Sequence, residues 1–254
     1  MTLTASVLLF TMSTIPSQPD AQSAGNIQFL KLPFEKGVDF EISEGWFYSR
    51  EEREIHGKSI HSAIDYAVPY GTPVYAAADG FVIASSNISQ LEGTFKGKKV
   101  GYSYGNFVRV WHPEAQLFTQ YGHLSKISPD IPFDEPKNIG KAWIPTSLFD
   151  RDTDSFEKDG FFVRQGYLIG YAGDSGLSWG YDEKPLEERN RDMFPSWDEP
   201  HVHFEVFSKE PRGNTRKFID PYGIYGQASE YLFPINTKKG LWLLSDNGKP
   251  RFAH

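Results

Sequence analysis

Two segments far apart in the chain carry histidine and aspartate side chains at spacings that suit a zinc ion. His61 and Asp65 are four residues apart, and His201 and His203 are two apart. A strand sends residues i and i+2 to the same face, and residues i and i+4 share a face in either regular structure. Catalytic zinc typically takes three such protein ligands and leaves one position for water. The set therefore predicts an open, water-activating site rather than a closed structural one.

The residues around these segments form an ordered series of further motifs. They are G-T-P-V-Y-A-A-A-D-G at 71–80, G-N-F-V-R-V-W-H at 105–112, Y-G-H-L-S at 121–125, Q-G-Y-L-I-G-Y-A-G-D-S-G at 165–176, H-V-H-F-E-V at 201–206 and D-P-Y at 220–222. From about His61 to about Tyr222 the chain resembles the lysostaphin-type (LytM-like) zinc endopeptidases, which cut bacterial peptidoglycan. So many motifs in the family's order make the resemblance specific.

The resemblance implies a role for each histidine of these motifs. It implies one zinc ion with ligands at His61, Asp65 and His203, and catalytic residues beside the metal at His123 and His201. All five positions are intact, whereas inactive members of the family have lost ligands. The implied fold is mainly β, with an antiparallel β-sheet core and an open groove whose floor carries the zinc. The implied activity is hydrolysis of peptide bonds in peptidoglycan stems or cross-bridges.

The chemistry of such a site needs a proton acceptor and a proton donor besides the metal. Neutral imidazoles fill both roles near pH 7, so we assign His123 and His201 to proton transfer and charge stabilisation without dividing the roles between them. Glu205 follows His203 by two positions and shares its strand face. It is either an acceptor for the free ring N–H of a ligand histidine or a solvated, structural glutamate.

Two other functions compete with metal-dependent hydrolysis. The segment G-D-S-G at 173–176 matches the nucleophile signature of trypsin-like serine proteases, in which Ser175 would need a histidine base such as His123. The same segment also fits a glycine-rich turn without a nucleophile. The second competitor is a catalytically silent module that binds the cell wall or activates another wall hydrolase. Intact ligand positions favour catalysis over that module.

Composition narrows the class of protein further. The net charge of −7 argues against a nucleic-acid binder, and the absence of cysteine excludes disulfides and thiolate metal sites. No apolar run reaches membrane-spanning length, and composition predicts no particular oligomeric state. Residues 1–25 are interpreted as a signal peptide or a disordered N-terminus, although the first basic residue is Lys31. Residues 26–254 are predicted to form a single zinc peptidase domain of a secreted or envelope (periplasmic) bacterial protein.

Local sequence patterns predict short strands and turns. Strands are expected within residues 74–82, 106–111, 116–122 and 202–207, with a turn at Asp79-Gly80, and helices should be short and peripheral. Two segments, about 128–160 and 177–200, interrupt the compact family pattern with prolines and acidic residues. Both are predicted to be long surface loop insertions that wall the groove.

Overall fold

Antiparallel β-strands make up most of the regular structure in the computed structural model, which describes residues 27–87, 91–95, 98–102, 104–132, 153–179, 200–209, 215–231 and 239–254. In chain order the strands are β1 (Glu41–Glu44), β2 (Ile64–Ala67), β3 (Pro73–Tyr75), β4 (Gly80–Asn87), β5 (Leu91–Phe95), β6 (Lys98–Tyr102), β7 (Asn106–His112), β8 (Leu117–Leu124), β9 (Lys126–Ile127), β10 (Phe161–Val163), β11 (Leu168–Tyr171), β12 (Leu177–Trp179), β13 (His201–Lys209) and β14 (Arg216–Phe218). The helices are α1 (Arg50–His56) and α2 (Thr153–Asp159), and a 3-10 turn spans Ala228–Glu230.

The strands form one large sheet and two small ones. The large sheet has eight strands in the order β1-β2-β13-β8-β7-β4-β10, with β14 paired to β13. The small sheets are β3-β11-β9 and β12-β6-β5. All pairings between these strands are antiparallel. The mainly β, antiparallel fold predicted from the sequence is therefore confirmed.

The large sheet has two faces with different side chains. One face, which we call the core face, packs Val108, Tyr121 and Phe204 into the main hydrophobic core. Because side chains alternate along each strand, the intervening residues of β13, including His203 and Glu205, project from the other face. We call that second face the site face.

An aromatic cluster covers one end of the site face. Phe207 of β13 is directly opposite Phe118 of β8, and their rings stack with centroids 5.2 Å apart. Trp111 and Phe156 pack against Phe118 at 4.6 and 5.7 Å between centroids. Since Phe156 belongs to α2, this contact holds the helix on the sheet. The other end of the site face carries the histidines.

The structure agrees with the predicted strands and adds detail to the predicted insertions. Both described α-helices are only seven residues long, as expected. The first insertion ends in α2, and the second begins with β12, which pairs with β6. Residues 133–152 and 180–199 lie outside the described part of the chain, so the groove walls stay a prediction. The same holds for the N-terminal segment up to residue 26, and the single-domain assignment is likewise still a prediction. Among the described residues, no helix has the length and apolar character to span a membrane.

Buried His112 should make stability depend on pH. Its Nδ1 donates to the Asp79 carbonyl at 2.7 Å, its Nε2 lies 2.9 Å from Thr119 Oγ1, and burial lowers the pKa of His112 from 6.5 to about 4. The unfolded chain therefore binds a proton at higher pH than the folded chain. The contribution of neutral His112 to the free energy of unfolding is fully present above pH 6.5 and is lost as pH falls towards 4. We expect His112→Asn to reduce the loss of unfolding free energy between pH 7 and pH 5 by about 2 kcal/mol, measured by urea denaturation of metal-free protein. Identical pH dependence in both proteins would contradict this.

Candidate metal centre

Strand pairing brings two of the predicted ligands side by side. Asp65 of β2 is directly opposite His203 of β13, so both side chains project from the site face. His61 lies four residues before Asp65, and its backbone N–H donates to the Trp46 carbonyl at 2.9 Å. His61, Asp65 and His203 are 5%, 8% and 8% exposed. The ligand atoms that these three residues offer all lie within 4.8 Å of one another, close enough to hold one metal ion.

The distances between the three side chains fit a single ion. His203 Nδ1 is 2.9 Å from Asp65 Oδ1, His61 Nε2 is 3.3 Å from Asp65 Oδ2, and the two ring nitrogens are 3.2 Å apart. Ligand bonds of about 2.0–2.1 Å in a tetrahedral zinc site place ligand atoms about 3.3 Å from one another. The two ring nitrogens and the Asp65 carboxylate thus already have the mutual spacing of zinc ligands.

Hydrogen bonds at the far side of each ring fix which nitrogen faces the centre. His61 Nδ1 is 2.9 Å from the Gly45 carbonyl, which can only accept, so Nδ1 donates and Nε2 carries the lone pair. His203 Nε2 lies 3.4 Å from Glu205 Oε1 and donates to that carboxylate, so Nδ1 is the ring nitrogen that faces the centre and Asp65. Two ring nitrogens and a carboxylate converge within 3.3 Å. A divalent cation that displaces the proton between His203 and Asp65 would contact all three side chains, so the donor set fits a divalent metal.

The charges around the site lead to the same conclusion. Burial raises the pKa of Asp65, but His61, His203 and His201 outweigh it and hold that pKa well below its usual range. Burial lowers the pKa of His203, but the carboxylates of Asp65 and Glu205 outweigh it and raise the pKa to about 10. Burial lowers the pKa of His61 to about 4. The pocket therefore favours positive charge beside Asp65, which the protonated His203 ring supplies and which a bound metal ion would replace.

A bulge turns His123 towards this centre. Gly122 is directly opposite His203 on the site face, so strict alternation would place the next side chain on the core face. His123 instead has φ of 56°, and the pairing of β7 with β8 shifts register between Asn106 and Val108. An extra residue in one strand re-aims a side chain in this way. The His123 ring accordingly lies 5.5 Å from the His203 ring, between centroids.

His123 and His201 form a second pair of histidines next to the three predicted ligands. Their ring centroids are 4.7 Å apart. His201 Nε2 is 3.7 Å from Asp65 Oδ2, farther than the 2.9 Å that separates His203 from this carboxylate. Burial, followed by the nearby His201 and His203, lowers the pKa of His123 well below its usual value. The structure thus brings all five predicted site residues together, three around one point and two beside it.

Ser175 has a role that differs from the one its motif suggests. Its hydroxyl donates to the Leu124 carbonyl at 2.6 Å and accepts the Asn106 N–H at 2.9 Å. Its own carbonyl accepts a hydrogen bond from His123 Nδ1 at 2.8 Å. The histidine that would have to activate the serine is instead oriented by the serine backbone. The G-D-S-G segment therefore braces a turn and holds His123, and the serine-protease interpretation is not supported.

Two groups that position His61 were not identified from the sequence, the Gly45 carbonyl and the Tyr231 hydroxyl. The Gly45 carbonyl, which orients His61, carries no side-chain signal. The neighbouring Trp46 N–H donates to the Tyr231 hydroxyl at 3.2 Å, and that hydroxyl donates to Asp220 Oδ2 at 2.9 Å. Asp220 also accepts backbone N–H groups of the turn that follows it, at residues 222, 224 and 225. The D-P-Y motif thus anchors the segment that holds His61.

Glu205 is a buried acceptor rather than a solvated residue. Its side chain is 2% exposed. Besides His203, it accepts the Tyr104 hydroxyl at 2.6 Å and the Gln120 amide at 2.8 Å. Of the two interpretations left open by the sequence, the ring-orienting one agrees with this geometry.

Comparison with known proteins shows similarity to a family of peptidases. The family model described as peptidase family M23 matches residues 59–138. The DD-carboxypeptidase/endopeptidase Mpg of Neisseria meningitidis serogroup B is 30% identical over 191 residues, which cover 75% of this chain and 30% of Mpg. The peptidoglycan DD-endopeptidase ShyC of Vibrio cholerae is 25% identical over 216 residues, which cover 83% of this chain and 34% of ShyC. The chain thus spans about a third of the length of these relatives.

Solved structures give a weaker likeness. A mutant catalytic domain of the prophage-encoded M23 protein EnpA from Enterococcus faecalis is 20% identical with a TM-score of 0.39, covering 75% of this chain and 95% of that one. The catalytic domain of lysostaphin from Staphylococcus simulans is 17% identical with a TM-score of 0.38, covering 74% of this chain and 92% of that one.

Proposed function

Because the chain belongs to the lysostaphin-type (LytM-like) peptidase family M23, we propose that it is a zinc-dependent endopeptidase that hydrolyses peptide bonds in bacterial peptidoglycan stems or cross-bridges. One Zn²⁺ ion is held by His61, Asp65 and His203. The observation that carries the proposal is the convergence of three side chains, with contacts of 2.9–3.3 Å between their ligand atoms, beside two further histidines. The substrate class is supported by the name of ShyC, a peptidoglycan DD-endopeptidase, and the reaction type by the name of Mpg, a DD-carboxypeptidase/endopeptidase.

The chain's own residues supply the remaining functions of amide hydrolysis. When bound, a zinc ion lowers the pKa of a coordinated water towards 7 and polarises a carbonyl oxygen. His123 donates through Nδ1 to the Ser175 carbonyl, so its Nε2 lone pair is available to accept a proton. His201 stands beside it and stabilises charge on the reacting carbonyl, while the proton that His123 accepts passes on to the leaving amine. Glu205 keeps the His203 ring in its ligating orientation.

The proposed substrate also determines where the protein acts, and the intact site bears on the alternative of a catalytically silent wall-binding module. A peptidoglycan substrate requires a secreted or envelope (periplasmic) protein, in keeping with the interpretation of residues 1–25 as a signal peptide. A module that only binds the wall has no need for intact ligands and paired histidines, so catalysis is the better supported function. The two functions differ in one measurable property, the release of peptides.

The decisive experiment combines metal content with product identity. Purified protein is expected to contain one zinc ion per chain by elemental analysis and to release peptides from purified cell walls of several cross-bridge types. Mass spectrometry of the new amino termini then identifies the cleaved bond. Bound zinc without release from any wall type would instead favour the silent wall-binding module. Protein without zinc and without release would overturn the proposal as a whole.

A further inference from the structure

A row of three polar side chains crosses the large sheet behind His203. Arg109 of β7 is directly opposite Gln120 of β8, and Gln120 is directly opposite Glu205 of β13. All three side chains are buried on the site face. Buried polar groups cost free energy unless each donor and acceptor has a partner, so the order of hydrogen bonds along such a row is strongly constrained.

The first link of the row fixes the orientation of the Gln120 amide. A guanidinium has only donors, and Arg109 Nε and Nη2 both donate to Gln120 Oε1, at 3.0 and 2.7 Å. With its oxygen held there, the amide must direct its NH₂ group the other way. That group donates to Glu205 Oε2 at 2.8 Å. Without the two hydrogen bonds from Arg109, the Gln120 amide could flip and present its oxygen to the carboxylate.

The second link determines how Glu205 meets the ligand histidine. One carboxylate oxygen receives the Gln120 amide and lies 3.7 Å from Arg216 Nη1. The other receives the Tyr104 hydroxyl at 2.6 Å and faces His203 Nε2 at 3.4 Å. A carboxylate supplied with donors at both oxygens is held in one rotamer as an acceptor, so the proton of the His203 ring stays on Nε2.

We propose that Arg109 and Gln120 are positioning residues for the metal centre, which act through Glu205 to hold the His203 ring with its proton on Nε2 and its Nδ1 free for the metal. This inference rests on the proposed zinc site. Neither residue is among those that converge on the metal position. Their effect is on metal affinity, because loss of the partners that orient a ligand typically weakens metal binding 10–100-fold.

The test is the zinc affinity of Gln120→Met, Arg109→Met and the double variant, measured by competition with a chelator. Each single variant should bind zinc about 10-fold more weakly. The double variant should lose much less than the sum of the two single losses, because Arg109 holds the Gln120 amide that in turn contacts Glu205. In zinc-bound wild-type protein the His203 Nε2 proton should give a slowly exchanging NMR signal that exchanges faster in all three variants.

Thr119→Val is the matched control. Thr119 precedes Gln120 but belongs to the core face, where its buried hydroxyl contacts His112 at 2.9 Å and Tyr121 at 3.3 Å. It should lower stability to urea while leaving zinc affinity within about 2-fold of wild type. Additive losses in the double variant, unchanged affinity in Gln120→Met, or equal weakening by Thr119→Val would overturn the inference. A wild-type protein that binds no zinc would instead refute the proposed function.

Discussion

Replacing His203 by Ala should remove metal and activity together. The substitution takes away one of the three convergent ligand atoms and leaves Asp65 and His61 without the ring that lies 2.9 and 3.2 Å from them. Loss of one of three protein ligands should weaken zinc binding by roughly 10³-fold or more. Metal content after dialysis and peptide release from cell walls are the two measurements.

A buried histidine elsewhere in the sheet provides the control for this variant. His112 is as deeply buried as the ligands, but it bonds to Asp79 and Thr119 on the core face. His112→Asn should keep the metal and most of the activity, even where it lowers stability. Equal metal loss in both variants would mean that His203→Ala acts through general unfolding rather than through the site.

His123→Ala and His201→Ala should keep the zinc and lose turnover. These rings lie beside the proposed ligands, and His201 Nε2 is 3.7 Å from Asp65 Oδ2. Removal of a proton-transfer residue typically costs about 10²–10⁴ in rate. We therefore expect kcat to fall by about that factor, measured on a soluble cross-bridge peptide, with one zinc retained per chain.

The contrast between the two sets of variants decides the assignment of roles. Metal loss in His123→Ala or His201→Ala, combined with metal retention in His203→Ala, would reverse ligands and catalytic residues. Unchanged turnover in both His123→Ala and His201→Ala would mean that neither histidine transfers a proton in the reaction.

Strand periodicity predicted the face of each residue of β13, and the structure explains why its two histidines differ. Both project from the site face because they are two residues apart. Only the register of β13 against β2 decides which of them meets the carboxylate. Asp65 is opposite His203, whereas Ala67 is opposite His201. A single sequence shows periodicity but not register, so the distinction came from family resemblance alone.

The positions of His123 and Glu205 show two further limits of reasoning from sequence. Alternation assigns His123 to the core face, and only the bulge with its φ of 56° brings it to the site. Alternation assigns Glu205 correctly to the site face, but its partner Gln120 is 85 residues away in sequence. Such contacts depend on strand pairing, which local pattern does not encode.

The chain order of the proposed ligands has a consequence for when the protein could acquire a metal ion. His61 and His203 are 142 positions apart, so the strand that carries His203 is synthesised long after the segment that carries His61. A growing or truncated chain that has not yet paired β13 with β2 lacks the third coordinating atom. Tight metal binding therefore requires that β13 has paired with β2. A metal ion that is present before this pairing would not be retained by the chain.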